Sequence, residues 1–268
     1  MKSFRRRAPR LKPYLKKLDY TYAYGVHPVL ELMKKRPDNV LKLVFHSKGQ
    51  SNQGIRKLHV LSEKLNIPTE VNDRAIKKIS MKENTYVVGI FEKYQTHLHN
   101  NTNHILLHHA RNMGNIGTII RTMLGFGFYD LALIRPSADI FHPRLVRSTM
   151  GAIFKMRFEY FDSLEQYCEK FQIATCGKNT HQHNARKLYL SYVHENAQPI
   201  SEIRFEKPFT LAFGNEGQGL PTEFVKAGEA FFIPQTKDIE SLNLSVAAAI
   251  AMWEAGGSSI GKEAVERE

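Results

Sequence analysis

Residues 240–255 read ESLNLSVAAAIAMWEA: three polar side chains, Ser241, Asn243 and Ser245, set among leucines and followed by a run of small residues. Leu244, Ala247, Ala248, Ala251 and Met252 fall at i, i+3, i+4, i+7 and i+8, one apolar face of a helix, and Gly256-Gly257 supplies a stop. Ser and Asn accept well from the free amides of a first helical turn, but capping needs only one of them. The surplus of polar groups at one end of a buried helix asks for a reason beyond capping.

Upstream of this helix the chain alternates. HILLHH (104–109), YDLALI (129–134), IATC (173–176), FTLAFG (209–214) and AFFIP (230–234) read as strands, with NIGTIIRTMLGF (115–126) and SLEQYCEKF (163–171) as helices between them. Such alternation predicts an α/β domain with a mostly parallel sheet over residues 104–257. Before it, QTHLHNNTN (95–103) is polar and reads as a linker. Residues 22–94 alternate as well. HPVLELMKKR, QGIRKLHVLSEKLN and DRAIKKIS read as helices, and NVLKLVFH, IPTEV and YVVGIFEKY as strands, which makes a small α/β domain of ordinary size. GGSSIGKEAVERE (256–268) closes the sequence, and residues 258–268 read as a frayed tail.

Charge divides along the same boundary. The net charge is +12, and residues 1–103 hold 21 Lys/Arg against 8 Asp/Glu while residues 104–268 hold 17 against 18. A basic first region joined to a neutral second one implies a polyanion-binding module attached to something else. Residues 1–21 open with MKSFRRRAPRLKPYLKK and read as a flexible basic arm; Arg5, Arg6, Arg7, Arg10, Lys16 and Lys17 are its candidates for nucleic-acid phosphate contact. Two cysteines, Cys168 and Cys176, are too few for a disulfide framework and read as reduced thiols. With no apolar leader and no membrane-length apolar stretch, a cytoplasmic protein is expected.

Three segments of the second region break the ordinary strand-to-helix pattern. GNIGTIIR (114–121) follows a strand closely and puts Asn115, Gly117 and Arg121 at the start of a helix, where glycines and an arginine suit an anion. FGNEGQGLP (213–221) ends a strand with three glycines around Glu216, and lacks the spacing of a dinucleotide fingerprint. The third is the opening stretch with IPQTKDIE before it. Together they put Asn115, Arg121, Glu216, Ser241 and Asn243 where an open α/β sheet takes its ligand. His97, His99, His104, His108 and His109 straddle a linker and a strand without ligand spacing, and His181 and His183 sit in a polar loop, so no metal is expected. A GxSxG elbow, a P-loop and an HExxH are absent.

In this order and spacing the three segments resemble the motifs of the SpoU (TrmH-type) branch of the SPOUT RNA methyltransferases. NIGTIIRT is similar to the first motif, FGNEGQGLP to the second, and IPQTKDIESLNLSVAAAIAMWE to the third. The resemblance covers residues 104–257, and residues 22–94 look like the RNA substrate-binding domain often fused in front, similar in fold to RNA-binding ribosomal proteins. It implies a SPOUT-type parallel sheet closed by a C-terminal deep trefoil knot. It implies S-adenosylmethionine as cofactor, held around Gly214, Glu216, Gly219, Ile233, Leu242 and Asn243, and a homodimer through the catalytic domain. Asn115, Arg121, Glu216, Ser241 and Asn243 carry over as catalytic residues, with Arg121 also touching RNA. Two departures stand out: ARNMGN lacks the usual Asp-Pro, and Asn215 stands where Ser is common.

The expected activity is therefore methyl transfer to a ribose 2′-OH of structured RNA, ribosomal RNA favoured over transfer RNA. No histidine or free carboxylate is evidently placed as a base. An arginine that stays protonated would grip the neighbouring phosphate and position the hydroxyl. The other readings are a non-catalytic RNA- or ribosome-binding protein with the same fold, and a SPOUT enzyme that methylates a base.

Overall fold

The structure, a computed structural model, describes residues 9, 11–80, 84–173 and 186–256. The arginines at positions 5, 6, 7 and 10, Cys176, His181, His183 and the tail expected over residues 258–268 lie outside these residues. In chain order the strands are β1 (Tyr20–Tyr24), β2 (Val40–Phe45), β3 (Thr69–Val71), β4 (Val87–Glu92), β5 (His104–His108), β6 (Asp130–Ile134), β7 (Arg157–Phe161), β8 (Lys187–Ser191), β9 (Gln198–Pro199), β10 (Phe209–Phe213) and β11 (Glu229–Phe232). The helices are α1 (Val26–Lys35), α2 (Gln53–Lys64), α3 (Asp73–Ile79), α4 (Met113–Gly125), α5 (Pro143–Ser148), α6 (Leu164–Phe171) and α7 (Leu244–Gly256). They form two compact units: Met1–Tyr94 with Asp139–Lys155, and Gln95–Ala138 with Met156–Glu268.

The first unit is a four-stranded mixed sheet in the order β1-β4-β2-β3, with β4 antiparallel to both neighbours and β2 parallel to β3. Its helices start on side-chain caps: Asn52 accepts from the Gly54 amide and Asn72 from the Ala75 amide. Residues 139–155, a stretch for which the sequence suggested no element, supply this unit with α5 and a 3₁₀ turn. Thr21 Oγ1 donates to the Phe141 carbonyl at 2.6 Å, and the Phe154 ring meets Phe91 edge-on. The later part of the expected arm is likewise packed, since Leu11, Tyr14 and Leu18 lie against the Tyr22–Tyr24–Ile90 core. Tyr22 and Tyr14 hydroxyls donate to the Lys12 carbonyl and the Asp139 carboxylate, and Lys16 and Lys17 remain exposed.

The second unit carries a seven-stranded sheet in the order β7-β6-β5-β10-β8-β11-β9, every neighbouring pair parallel. Central strands β5, β6 and β10 are buried at every residue, as befits a parallel sheet covered on both faces. On one face α6 closes a core of Leu106, Ala132, Phe161, Tyr167, Leu190 and Ala212; α7 packs against α4 and β10. Each fully buried leucine here contributes about 2 kcal/mol of hydrophobic stabilisation.

The expected linker 95–103 is strapped to this unit by its backbone. His99 N–H donates to Asp130 at 3.1 Å, the His99 carbonyl accepts from His104 Nε2 at 2.7 Å, and Arg186 donates to the carbonyls of Asn100 and Thr102 at 2.7 and 2.8 Å. Buried polar residues drawn from β5, β6 and the start of β8 thus fix a segment whose composition alone reads as loose.

Candidate active site

At the C-terminal edge of the parallel sheet, β5 gives way to α4 within five residues. Asn112 caps that helix: its Oδ1 accepts from Gly114 N–H at 2.9 Å and Asn115 N–H at 3.2 Å. Asn serves as an N-cap as well as Asp does, so the replacement of Asp-Pro by Asn112-Met113 leaves the helix start intact. Asn115 then stands in the first turn of α4.

After β10 the chain makes a closed loop. Asn215 Oδ1 accepts from the amides of Gly217 and Gln218 at 2.9 and 2.8 Å, and Gly219 N–H returns to the Asn215 carbonyl at 3.0 Å. A serine hydroxyl forms the same kind of turn more weakly, so Asn215 is a substitution within one turn chemistry. At Gly214 a Cβ would lie 1.9 Å from the Gly219 carbonyl carbon, and Gly219 has φ +65°. The loop can close only with glycine at the first position and strongly favours it at the second. Glu216 sits at the exposed tip.

Asn243 begins α7. Its carbonyl accepts from Val246 and Ala247 N–H, both at 2.9 Å, and its Oδ1 accepts from Ser245 N–H at 2.9 Å and Ser245 Oγ at 2.7 Å. The remaining donor, Nδ2, reaches Asn115 Oδ1 at 3.2 Å, and Asn115 Nδ2 donates to Glu216 Oε1 at 2.5 Å. The direction of this relay is fixed at both ends, because a backbone N–H can only donate and an ionised carboxylate can only accept. Asn243 is therefore cap and relay at once, and Ser245 its internal partner. The surplus polarity of the opening stretch is accounted for by this double use, apart from Ser241, which is exposed and makes no hydrogen bond among the described residues.

Asn115, Glu216 and Asn243 are thus joined across three separate segments, with Glu216 near the positive end of α4. Arg121, two turns into the same helix, is exposed and unpaired among the described residues. Ile233 and Leu242 are half-buried on the stretch leading to Asn243.

Two side chains on β5 carry a signal that the sequence offered only as part of a metal motif without ligand spacing. His108 ends β5 buried to 6% exposure, its ring 3.6 Å from that of His109 and edge-on to Phe224, with Nδ1 buried and unpartnered. Burial, with His109 adding to it, pushes its pKa down to about 4, so it is neutral at pH 7. His104, at the other end of the strand, is held by Tyr167 and the His99 carbonyl. Among the described residues no three His, Cys, Asp or Glu side chains are grouped to hold a metal ion.

The sequence profile of the SpoU rRNA Methylase family matches residues 102–253, which contain the first two segments and the third up to Trp253. The chain belongs to the SpoU rRNA Methylase family. It is 35% identical over 146 residues to a ribosomal RNA small subunit methyltransferase G 2 of Syntrophobacter fumaroxidans, covering 54% of this chain and 26% of that protein. With a 23S rRNA (guanosine-2′-O-)-methyltransferase RlmB of Acinetobacter baylyi it shares 26% identity over 255 residues, 90% of this chain and 98% of the relative. The chain thus spans about a quarter of the first relative and nearly all of the second. In three dimensions it matches the AdoMet-bound rRNA methyltransferase of Sinorhizobium meliloti at a TM-score of 0.70 and 26% identity, over 88% of this chain and 87% of that one. The parallel α/β sheet matches that of SPOUT methyltransferases.

Proposed function

We propose that this member of the SpoU family is an S-adenosylmethionine-dependent RNA methyltransferase acting on a ribose 2′-OH, with ribosomal RNA as the preferred substrate. The observation that carries it is the relay from Asn243 through Asn115 to Glu216. It gathers the polar residues of all three family segments at the sheet edge where open α/β folds take ligands. The full-length likeness to the RlmB relative supports a ribosomal substrate.

The residues present suit the cofactor. A Cβ at Gly219 would meet nothing within 4 Å, so the Gly214–Gly219 loop offers open peptide backbone for close approach. Glu216 offers a carboxylate to a cation, and Ile233 and Leu242 offer half-buried apolar surface. When bound, S-adenosylmethionine supplies an electrophilic methyl carried on a sulfonium. The chain's own contribution is positional. Arg121, exposed and uncommitted, grips the phosphate beside the target ribose and polarises its hydroxyl, while the relay holds Glu216 and Ser241 flanks the nucleotide.

Two further features belong to this reading. A C-terminal trefoil knot is part of this reading, and the tight chain packing there supports it: β10 lies between β5 and β8, the loop after it closes backbone on backbone at Gly214, and a Cβ at Gly228 would be 2.3 Å from the Leu188 carbonyl oxygen. Homodimerisation uses α7, whose Val246, Ile250 and Trp253 are exposed at 46, 36 and 52% and spaced i, i+4, i+7 along one stripe. The basic first unit, with Lys16 and Lys17, holds RNA, and the protein works in the cytoplasm with that RNA. Among the described residues no helix is long and apolar enough to cross a membrane.

The test is transfer of labelled methyl from S-adenosylmethionine to undermodified RNA, read as alkali-resistant dinucleotides in separated ribosomal and transfer RNA, with Arg121→Ala as control. Label in one such dinucleotide of ribosomal RNA, lost in the variant, is the expected result. RNA binding without transfer would leave a binding protein, and label confined to alkali-sensitive mononucleotides would mean base methylation.

A further inference from the structure

The second unit has a polar hollow at the edge of its sheet opposite the candidate active site. Two cavities of about 370 and 460 Å³ share Asn101 and Lys207 in their walls. Both are formed where the chain enters β5, β6 and β10, the N-terminal ends of parallel strands whose C-terminal ends carry the relay. Five-residue strands separate the two edges by about 16 Å.

The lining is selective in character. Asn100, Asn101 and Asn103 supply amides, Phe126 and Tyr129 supply rings, Lys170 and Lys207 supply cations, and among the described residues no carboxylate lines either cavity. Among the described residues Lys207 has no ion pair or hydrogen bond, whereas Lys170 pairs with Glu159. Tyr129 is 42% exposed, and the Arg157 guanidinium lies 6.0 Å from its ring centroid, which leaves the ring partly open to solvent. Beneath them Arg186 is 4% exposed, and its terminal nitrogens are given to the carbonyls of Phe209, Asn100 and Thr102. Among the described residues it forms no ion pair, and the buried Asp130 carboxylate, which Arg157 pairs, is the acidic group that acts on its charge.

An acidic protein surface would be matched by cations alone, and an apolar partner by rings alone. The combination of amides, an open ring and an unpaired lysine matches a nucleotide whose base is unstacked: the ring takes the base face, amides take its edge, and the lysine takes the phosphate. We propose that this hollow binds a single-stranded nucleotide of the RNA substrate, with phosphate at Lys207 and base at Tyr129, as a second anchor for the RNA whose ribose is methylated at the opposite edge. The proposal rests on the RNA methyltransferase reading above, and it makes Asn101, Tyr129 and Lys207 binding residues outside the catalytic constellation.

The test measures the affinity of the whole protein for a labelled single-stranded RNA of about 16 nucleotides. Wild type is compared with Tyr129→Ala/Lys207→Ala and with Asn101→Ala. The double variant is expected to bind the RNA about tenfold more weakly. Lys207→Ala alone is expected to flatten the dependence of log K on log salt by about 0.7, one phosphate contact. Affinity for S-adenosylmethionine and the thermal midpoint stay as in wild type, since all three side chains lie on the surface of the hollow. Unchanged RNA affinity and salt slope in the double variant would overturn the second anchor and leave the methyltransferase reading standing. A wild type that neither binds nor methylates RNA would overturn that reading, and the anchor with it.

Discussion

Asn115 donates its side-chain amide to Glu216 at 2.5 Å, across a sequence separation of 101 residues. The contact joins the first turn of α4 to the tip of the loop after β10. Because Asn115 Oδ1 is already taken by Asn243, no freedom to flip is left in its amide. Asn115→Asp keeps the size, removes the donor and sets a second carboxylate beside Glu216. Methyl transfer should fall about a hundredfold, the scale of losing one preorganised donor, while the thermal midpoint moves little because the group is partly exposed. Steady-state kinetics alongside a melting curve separates the two effects; equal activity would mean that the relay has no part in turnover.

Asn243 allows its two roles to be separated. Asn243→Ala removes both the cap of α7 and the donor to Asn115, and should cost about 1 kcal/mol of stability together with the activity loss. Asn243→Asp retains an oxygen for Ser245 N–H but has no N–H for Asn115. It should unfold close to wild type in denaturant titrations and still be impaired in transfer. A variant that is stable and fully active would reduce Asn243 to a cap.

The glycines of the second segment make different predictions. Gly214→Ala drives a Cβ into backbone, 1.9 Å from Gly219 carbon and 2.3 Å from Leu220 nitrogen, and neither atom can rotate away. The loop must open, and both fold stability and S-adenosylmethionine affinity should drop. Gly219→Ala meets no atoms within 4 Å and carries only the left-handed backbone penalty at φ +65°, about 1 kcal/mol. Calorimetric titration with the cofactor should therefore rank wild type, Gly219→Ala and Gly214→Ala in that order.

Much of the candidate site was legible as a cluster before the fold, because its residues are polar groups in places where a helix or strand end needs few. Even the two departures from the family pattern read correctly once Asn112 and Asn215 are treated as cap and turn chemistry. What escaped depends on partners distant in sequence. QTHLHNNTN has the composition of a linker, yet Asp130, His104 and Arg186 hold its backbone from as far as 86 residues away. Residues 139–155 hold only short helical pieces, α5 and a 3₁₀ turn, too brief for periodicity to declare, and their place beside β1 comes from tertiary contacts such as Thr21 to Phe141. Tyr14 and Leu18 were hidden among the arm's basic residues, where charge suggested solvent and the aromatic and leucine side chains chose the core.

The same buried histidines predict how stability depends on pH. His104 is fully buried, with Nε2–H donating to the His99 carbonyl and Nδ1 accepting from the Tyr167 hydroxyl, an arrangement that needs the neutral ring. Burial first, then the nearby Arg186 charge, pushes its pKa down to about 3, and burial pushes His108 to about 4. In the unfolded chain both titrate near 6.5, so between about pH 6.5 and 4 the unfolded state binds more protons than the native one. Stability is then fully present above pH 6.5 and declines as pH falls, by about 1.4 kcal/mol per unit for each histidine at the steepest. Asp130 and Glu70, held below the usual carboxylate range mainly by bonds to Arg157 and Lys42, add to the loss only at lower pH, near the unfolded carboxylate values. Urea titrations at pH 7 and pH 5 should show the drop, and His108→Asn, which cannot be protonated, should have a shallower slope over that interval. A flat profile down to pH 5 would mean that both rings accept a proton in the native state.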